Sequence, residues 1–360
     1  MKSFLCYDVA MEGQKPYLAM LFIQFAYAGM ALFSKAAIAK GMNPYVFVVY
    51  RQAFASLALA PFAFFFERKK DAPLSYNLLC KIFFISLCGI TLSLNLYYVA
   101  INYTSATFAA ATTNLIPAIT FIMAALLRME SITIKHLHGM AKVLGAAVGV
   151  CGALVFAFVK GPPIKLYWYS GTEKSSSNSS ILGSSGVEWI KGSLFMLLAN
   201  STWSLWLVLQ GPIIKQYQAK LRLTALQCFF SCLQSTVVAI AVDRHPSAWK
   251  IGWDIHLLSV AYCGIIVTGI TYWLQVWAIE KKGPVFTSMF TPLALIITAI
   301  ISAFLWKESL YCGSIGGAIL LVGGLYSVLW GKNKEDSKSE MDKQRQVIKE
   351  EVILECITHV

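Results

Sequence analysis

Apolar residues in this chain gather into ten long runs separated by polar segments. The runs cover roughly residues 17–36, 45–66, 78–99, 104–127, 138–159, 190–210, 223–242, 257–279, 285–305 and 311–330. Each approaches the ~20 residues that a helix needs to cross a hydrocarbon layer. A helix pairs its own backbone groups, which lipid cannot do for it. The pattern therefore predicts an all-α integral membrane protein of ten transmembrane helices. The polar remainder divides into an N-terminal segment 1–16, a Ser-rich loop 160–189 and a charged tail 331–360 that reads as disordered or loosely helical.

The ten runs are two sets of five. When the chain is laid on itself, positions 98–131 match 276–309 without a gap, and 12 of the 34 pairs are identical. Thr113/Thr291 and Glu130/Glu308 weigh most, because apolar bias cannot explain them. The predicted repeats are 17–159 and 190–330. Five is odd, so the second copy enters the membrane from the opposite side. Two inverted five-helix repeats are a transporter plan, in which the copies rock about a site near the midplane.

Composition agrees with lipid as the solvent. The 360 residues are 57% hydrophobic and 13% charged, against about 25% charge in soluble domains. Mean hydropathy is +0.62. The net charge of +12 speaks to topology. With the N-terminus in the cytosol, 20 of the 30 lysines and arginines fall on cytosolic segments. Both termini are therefore expected in the cytosol. No basic stretch with interleaved aromatics points to nucleic acid. The nine cysteines form no CxxC pair and have no histidine beside them, so no metal or other cofactor is expected. No cleavable signal peptide is read. On the far side, Asn178-Ser179-Ser180 fits a glycosylation acceptor.

No Asp, Glu or His sits near the middle of a run. Candidate pathway residues are then neutral. They are Gln24 and Tyr27 in run one; Asn95 and Tyr98 in run three; Thr113 and Asn114 in run four; Asn200, Trp203 and Gln210 in run six; Gln275 in run eight; and Thr291 in run nine. Any one of them also fits plain helix-to-helix hydrogen bonding. Six helices with such faces favour a shared polar cavity, where Asn and Gln offer donors and acceptors. Pro117 and Pro292 read as packing kinks or as flexing points. Glu130 and Glu308 read as interfacial caps or as a gate pair. Arg51 reads as a snorkelling residue at a span edge, or as an attractor of anions at the mouth. Glycines of runs five and ten read as close packing, with a homodimer contact as their other use.

The stretch 114–130 (NLIPAITFIMAALLRME) resembles the plant UMAMIT family, also called nodulin-like or walls-are-thin-related proteins. These are EamA-domain members of the drug/metabolite transporter superfamily. Tyr50-Arg51-Gln52-Ala53, Lys160-Gly161-Pro162, Gly283-Pro284-Val285-Phe286 and Gly324-Leu325-Tyr326 extend the likeness over nearly all of 17–332. The resemblance implies two EamA repeats and export or facilitated passage of amino acids, with auxin or other organic acids as the alternative solute. It also implies the plasma membrane, or else the vacuolar membrane. The lack of mid-run carboxylates and histidines favours an uncoupled pathway over a proton relay. A non-transporting scaffold is the alternative of another class. An enzyme is not expected, because no nucleophile and base come together.

Overall fold

A computed structural model describes residues 2–67, 74–103, 112–129, 137–159, 186–305 and 312–358. Among these residues the chain is helical and carries no strand. The helices of the first repeat are α1 (Lys2–Ala39), α2 (Pro44–Phe66), α3 (Tyr76–Ile85), α4 (Leu92–Tyr103), α5 (Ile116–Leu126) and α6 (Leu137–Phe158). Those of the second are α7 (Gly186–Gln216), α8 (Lys220–Val242), α9 (Ile255–Ala261), α10 (Thr271–Lys282), α11 (Pro284–Met289), α12 (Thr291–Leu305) and α13 (Cys312–Thr358). Among the described residues, eight helical stretches are long and apolar enough to cross a membrane. Runs four and five appear as the shorter apolar helices Ile116–Leu126 and Gly139–Gly152. Leu57, Phe65, Phe66, Leu126 and Ile319 point outward, as lipid-facing side chains do.

Local chemistry sets the helix ends. Asn43 accepts a hydrogen bond from the Tyr45 amide at 2.9 Å and is followed by Pro44, the favoured opening of a helix. Gly283, at φ 88°, separates α10 from Pro284 at the head of α11. The charged tail, read from sequence as disordered or loosely helical, is helical. It continues α13 to Thr358. No proline or glycine follows Gly331, and Glu335/Lys338, Lys338/Asp342 and Glu340/Lys343 have helix-supporting spacing. Buried Lys142 on α6 also holds Glu335 at 2.5 Å.

Helix packing reveals the two-fold relation. α2 lies on α8, and α6 lies on α13, so each of these helices meets its own counterpart. α4 packs on α7, as α10 packs on α1; α5 packs on α7, as α12 packs on α1. Glycine sets the closeness of α6 and α13. A Cβ on Gly145 would stand 2.8 Å from the Gly324 carbonyl oxygen, and one on Gly324 would stand 2.6 Å from that of Gly145.

The third passage of each repeat has a feature the sequence reading missed. A wide π-helical segment, Ser86–Thr91, joins α3 to α4, and another, Tyr262–Ile270, joins α9 to α10. They fall at matching places in the two repeats. The first packs on α7 and α8, the second on α1 and α2. Such segments mark places where backbone hydrogen bonding is locally rearranged, often at functional sites. Passages four and nine are broken as well. The helical bonding lapses at Asn114–Leu115 and at Phe290. Pro117 and Pro292 each take the second position of the helix that follows the break. They therefore start helices instead of kinking them. At that position a missing N–H removes no intrahelical bond.

Candidate functional site

Arg51 belongs to the interior. It sits seven residues into α2, about 10 Å along the axis, and is 3% exposed. The expectation of an interfacial, snorkelling side chain is overturned. Neighbouring helices cover it, and its nitrogens bond inward. Nε donates to Thr268 Oγ1 at 2.5 Å, and Nη2 donates to the Tyr272 hydroxyl at 3.4 Å. Thr268 in turn donates to the Cys263 carbonyl, five residues back, at 2.9 Å. The second π-segment creates that spacing and so fixes which way the Thr268 lone pairs face. Gly264 permits the approach: a Cβ there would stand 2.5 Å from Phe54 Cβ and 2.8 Å from the Arg51 carbonyl oxygen.

The surroundings of Arg51 are neutral. Tyr27 and Tyr98 lie close enough to feel its charge, as do the thiols of Cys228 and Cys263. Among the described residues no carboxylate pairs with it. A charged side chain within a spanning helix is costly to insert, by up to about 2.5–3.5 kcal/mol at the centre, and such residues mark solute paths. The expectation of a pathway without buried charge therefore fails at this residue.

Tyr27, Tyr98 and Gln275 belong to this cluster, and Gln24 and Asn95 lie one turn from its tyrosines. Tyr27 faces Thr271 and Gln275 without a well-formed bond to either. Gln24 is one turn before Tyr27 on α1, and Asn95 is one turn before Tyr98 on α4. The Asn95 amide donates to the Thr91 carbonyl at 2.8 Å, which leaves its Oδ1 without a donor. Gln24 Oε1 and Gln275 Oε1 are buried and without a donor as well. Trp203 borders the cluster through Tyr272, at 5.5 Å between ring centroids, and stacks on Trp206 at 4.9 Å. Trp206 and Tyr272, which the sequence reading did not select, close this aromatic edge at 5.3 Å.

Other candidates serve packing. Gln210 exchanges amide bonds with Gln227, which also accepts from Trp206, so this buried network ties α7 to α8. Asn200 donates to the Thr112 carbonyl at 2.8 Å, where passage four breaks. Asn114, Pro117 and Pro292 line a narrow crevice between the broken passages and the α6/α13 glycines. Thr113 and Thr291 are half-buried beside the breaks and do not line that crevice. Glu130, Glu308 and Asn178 fall outside the described residues.

The two-fold helical packing and the guanidinium enclosed between the halves define a class: an integral membrane carrier built from inverted repeats. Residues 14–160 and 190–330 both match the EamA-like transporter family. A WAT1-related protein of Arabidopsis thaliana is 60% identical over 347 residues, covering 96% of this chain and 100% of that one. Another from the same plant is 50% identical over 352 residues, covering 95% and 98%. A solved crystal structure superposes with a TM-score of 0.67 over 89% of this chain and 99% of the other, at 15% identity, a likeness of fold alone. The chain belongs to the EamA-like transporter family, as a multi-pass membrane transporter of the drug/metabolite superfamily.

Proposed function

We propose that this protein passes amino acids across its membrane by alternating access, as an exporter or uncoupled facilitator. The observation that carries the reading is the polar cluster built from both repeats around Arg51. α1, α2 and α4 of the first half bring Gln24, Tyr27, Arg51, Asn95 and Tyr98; the second half brings Thr268, Thr271, Tyr272 and Gln275. A guanidinium and unpartnered amide oxygens suit a small solute with separate anionic and cationic ends. The two π-segments and the two broken passages supply matched flexing points on either side of the cluster. Plasma-membrane residence and cytosolic termini are part of the same reading.

Uptake and efflux of labelled amino acids in oocytes, repeated with the pH gradient collapsed, test it. Flux that survives collapse supports the uncoupled reading, and flux that vanishes with the gradient overturns it. A second reading, an aromatic organic acid, draws on the Trp203–Trp206–Tyr272 edge beside Arg51. Indole acids that displace label better than any amino acid would favour it.

A further inference from the structure

We propose that Arg51 is the binding site for the carboxylate of the transported solute, with Thr268 as its positioning residue and the amide oxygens of Gln24, Asn95 and Gln275 receiving the solute's ammonium group. The inference rests on the transport reading and deepens it.

The first support is the uncompensated charge. Arg51 offers five N–H donors. One goes to Thr268, and one makes a long, weak bond to Tyr272. The remaining three belong to the two Nη atoms, whose end-on edge matches a carboxylate with two parallel hydrogen bonds. Thr268 spends its own proton on the Cys263 carbonyl, so toward Arg51 it can only accept. That chain fixes the plane of the guanidinium before any solute arrives. Neutral hydroxyls cannot offset the desolvated charge, whereas a carboxylate can.

The second support is independent of Arg51. The oxygens of Gln24, Asn95 and Gln275 are acceptors without donors in residues 1%, 8% and 4% exposed. An acceptor buried without a partner is costly to maintain. Gln275 faces Tyr27, and Gln24 and Asn95 stand one turn from Tyr27 and Tyr98, so three acceptors border the cluster, as many as the N–H donors of an ammonium group. A chloride ion would satisfy Arg51 and leave all three oxygens unpartnered. A zwitterionic amino acid satisfies both ends at once, and so accounts for more of the site.

The experiment is ligand-induced thermal stabilisation of the purified full chain in nanodiscs. The probes are the 20 standard amino acids, the α-carboxamide and N-acetyl forms of each that stabilises, indole-3-acetate, malate and chloride. Wild type should bind an amino acid at least tenfold more tightly than its carboxamide or its N-acetyl form. Arg51→Gln should erase the preference over the carboxamide and keep the preference over the N-acetyl form. Thr268→Val should weaken binding about tenfold, with Thr268→Ser close to wild type. If Arg51→Gln yields no folded protein, Arg51→Lys decides: it keeps the charge, loses the fork, and should lower the carboxylate preference. An unchanged preference in the folded arginine variant overturns the assignment. So does stabilisation by chloride alone, or by no carboxylate at all. Arg51-dependent stabilisation by malate or indole-3-acetate, with none by amino acids, keeps the carboxylate site but overturns both the ammonium assignment and the amino-acid reading.

Discussion

The two π-segments occupy equivalent places in the two repeats, yet one meets a neutral network and the other a cation. In the first repeat, Thr91 donates to Gln234 Oε1 at 2.8 Å and lies 2.9 Å from Ser231 Oγ, both on α8. In the second, Thr268 faces Arg51 on α2. The supporting packing is shared. Gly89 presses against Trp206 as Gly264 presses against Phe54 and the Arg51 backbone. The scaffold is thus symmetric and the charge is not. Rocking needs the first property, since both faces must open by related motions. Solute recognition needs the second, since a solute with unlike ends cannot be matched by a symmetric site.

The largest expected effect breaks the shared scaffold. Gly89→Ala places a methyl group 2.5 Å from Trp206 Cβ, and Gly264→Ala places one 2.5 Å from Phe54 Cβ. Neither obstacle is the far end of a flexible side chain. Each substitution should destabilise by about 1–3 kcal/mol, the usual cost of overpacking. Thermal unfolding of the purified variants measures it. Equal losses support the symmetric packing, and a variant with wild-type stability shows that its π-segment does not need the close approach.

The contrast explains what could be read from sequence. Ten apolar runs and an odd repeat were legible because transfer to lipid is a strong, additive signal along the chain. The π-segments were not, since both lie in runs that are apolar on most sides, where a rotation of the helix face leaves little trace in the pattern. A trace does exist: Cys88-Gly89-Ile90 returns as Cys263-Gly264-Ile265. It lies in a different register from the one that aligns 98–131 with 276–309, which hides it. Arg51 was misplaced because hydropathy alone puts a charge at a span edge, although its run begins six residues earlier. Gln210 and Gln275 look alike in sequence. They differ in the partner: Gln227 for one, and nothing for the oxygen of the other.

A smaller effect should sharpen the charge asymmetry. Thr91→Val removes the partner of Ser231 and Gln234, and Thr268→Val removes the partner of Arg51. Both leave buried polar groups unmet, at about 1–3 kcal/mol. Their stability losses should therefore be similar. Their transport should differ: Thr91→Val keeps the wild-type ranking of solutes, and Thr268→Val flattens the ranking between carboxylates and their amides. Proteoliposome flux with paired acid and amide substrates measures this. Identical rankings in the two variants would mean that the second π-segment supports Arg51 without orienting it.

The smallest effect lies at the ends of α2 and α8, where the repeats also match and differ. Glu67, just past α2, accepts from the backbone amides of Leu221 and Arg222 at 3.2 and 2.9 Å. Asp243, its counterpart just past α8, accepts from the Asn43 side chain at 2.8 Å. The difference follows from the residue that opens each helix. α2 has Asn43, which caps its own amide. α8 has Ala219, which makes no side-chain cap, so Glu67 supplies one from outside. A carboxylate at a bare helix N-terminus interacts with the unpaired N–H groups and the helix dipole, worth about 0.3–1 kcal/mol. A carboxylate on a neutral amide lacks most of that charge dependence. Glu67→Gln should therefore lower stability by up to about 1 kcal/mol. Asp243→Asn should lower it by less than half as much, because the new amide oxygen still accepts from Asn43. Chemical unfolding of both variants, at low and at high salt, measures the pair. The Glu67→Gln loss should shrink at high salt. Equal losses that ignore salt would show that both ends are held by hydrogen bonds alone, with the dipole of α8 playing no part.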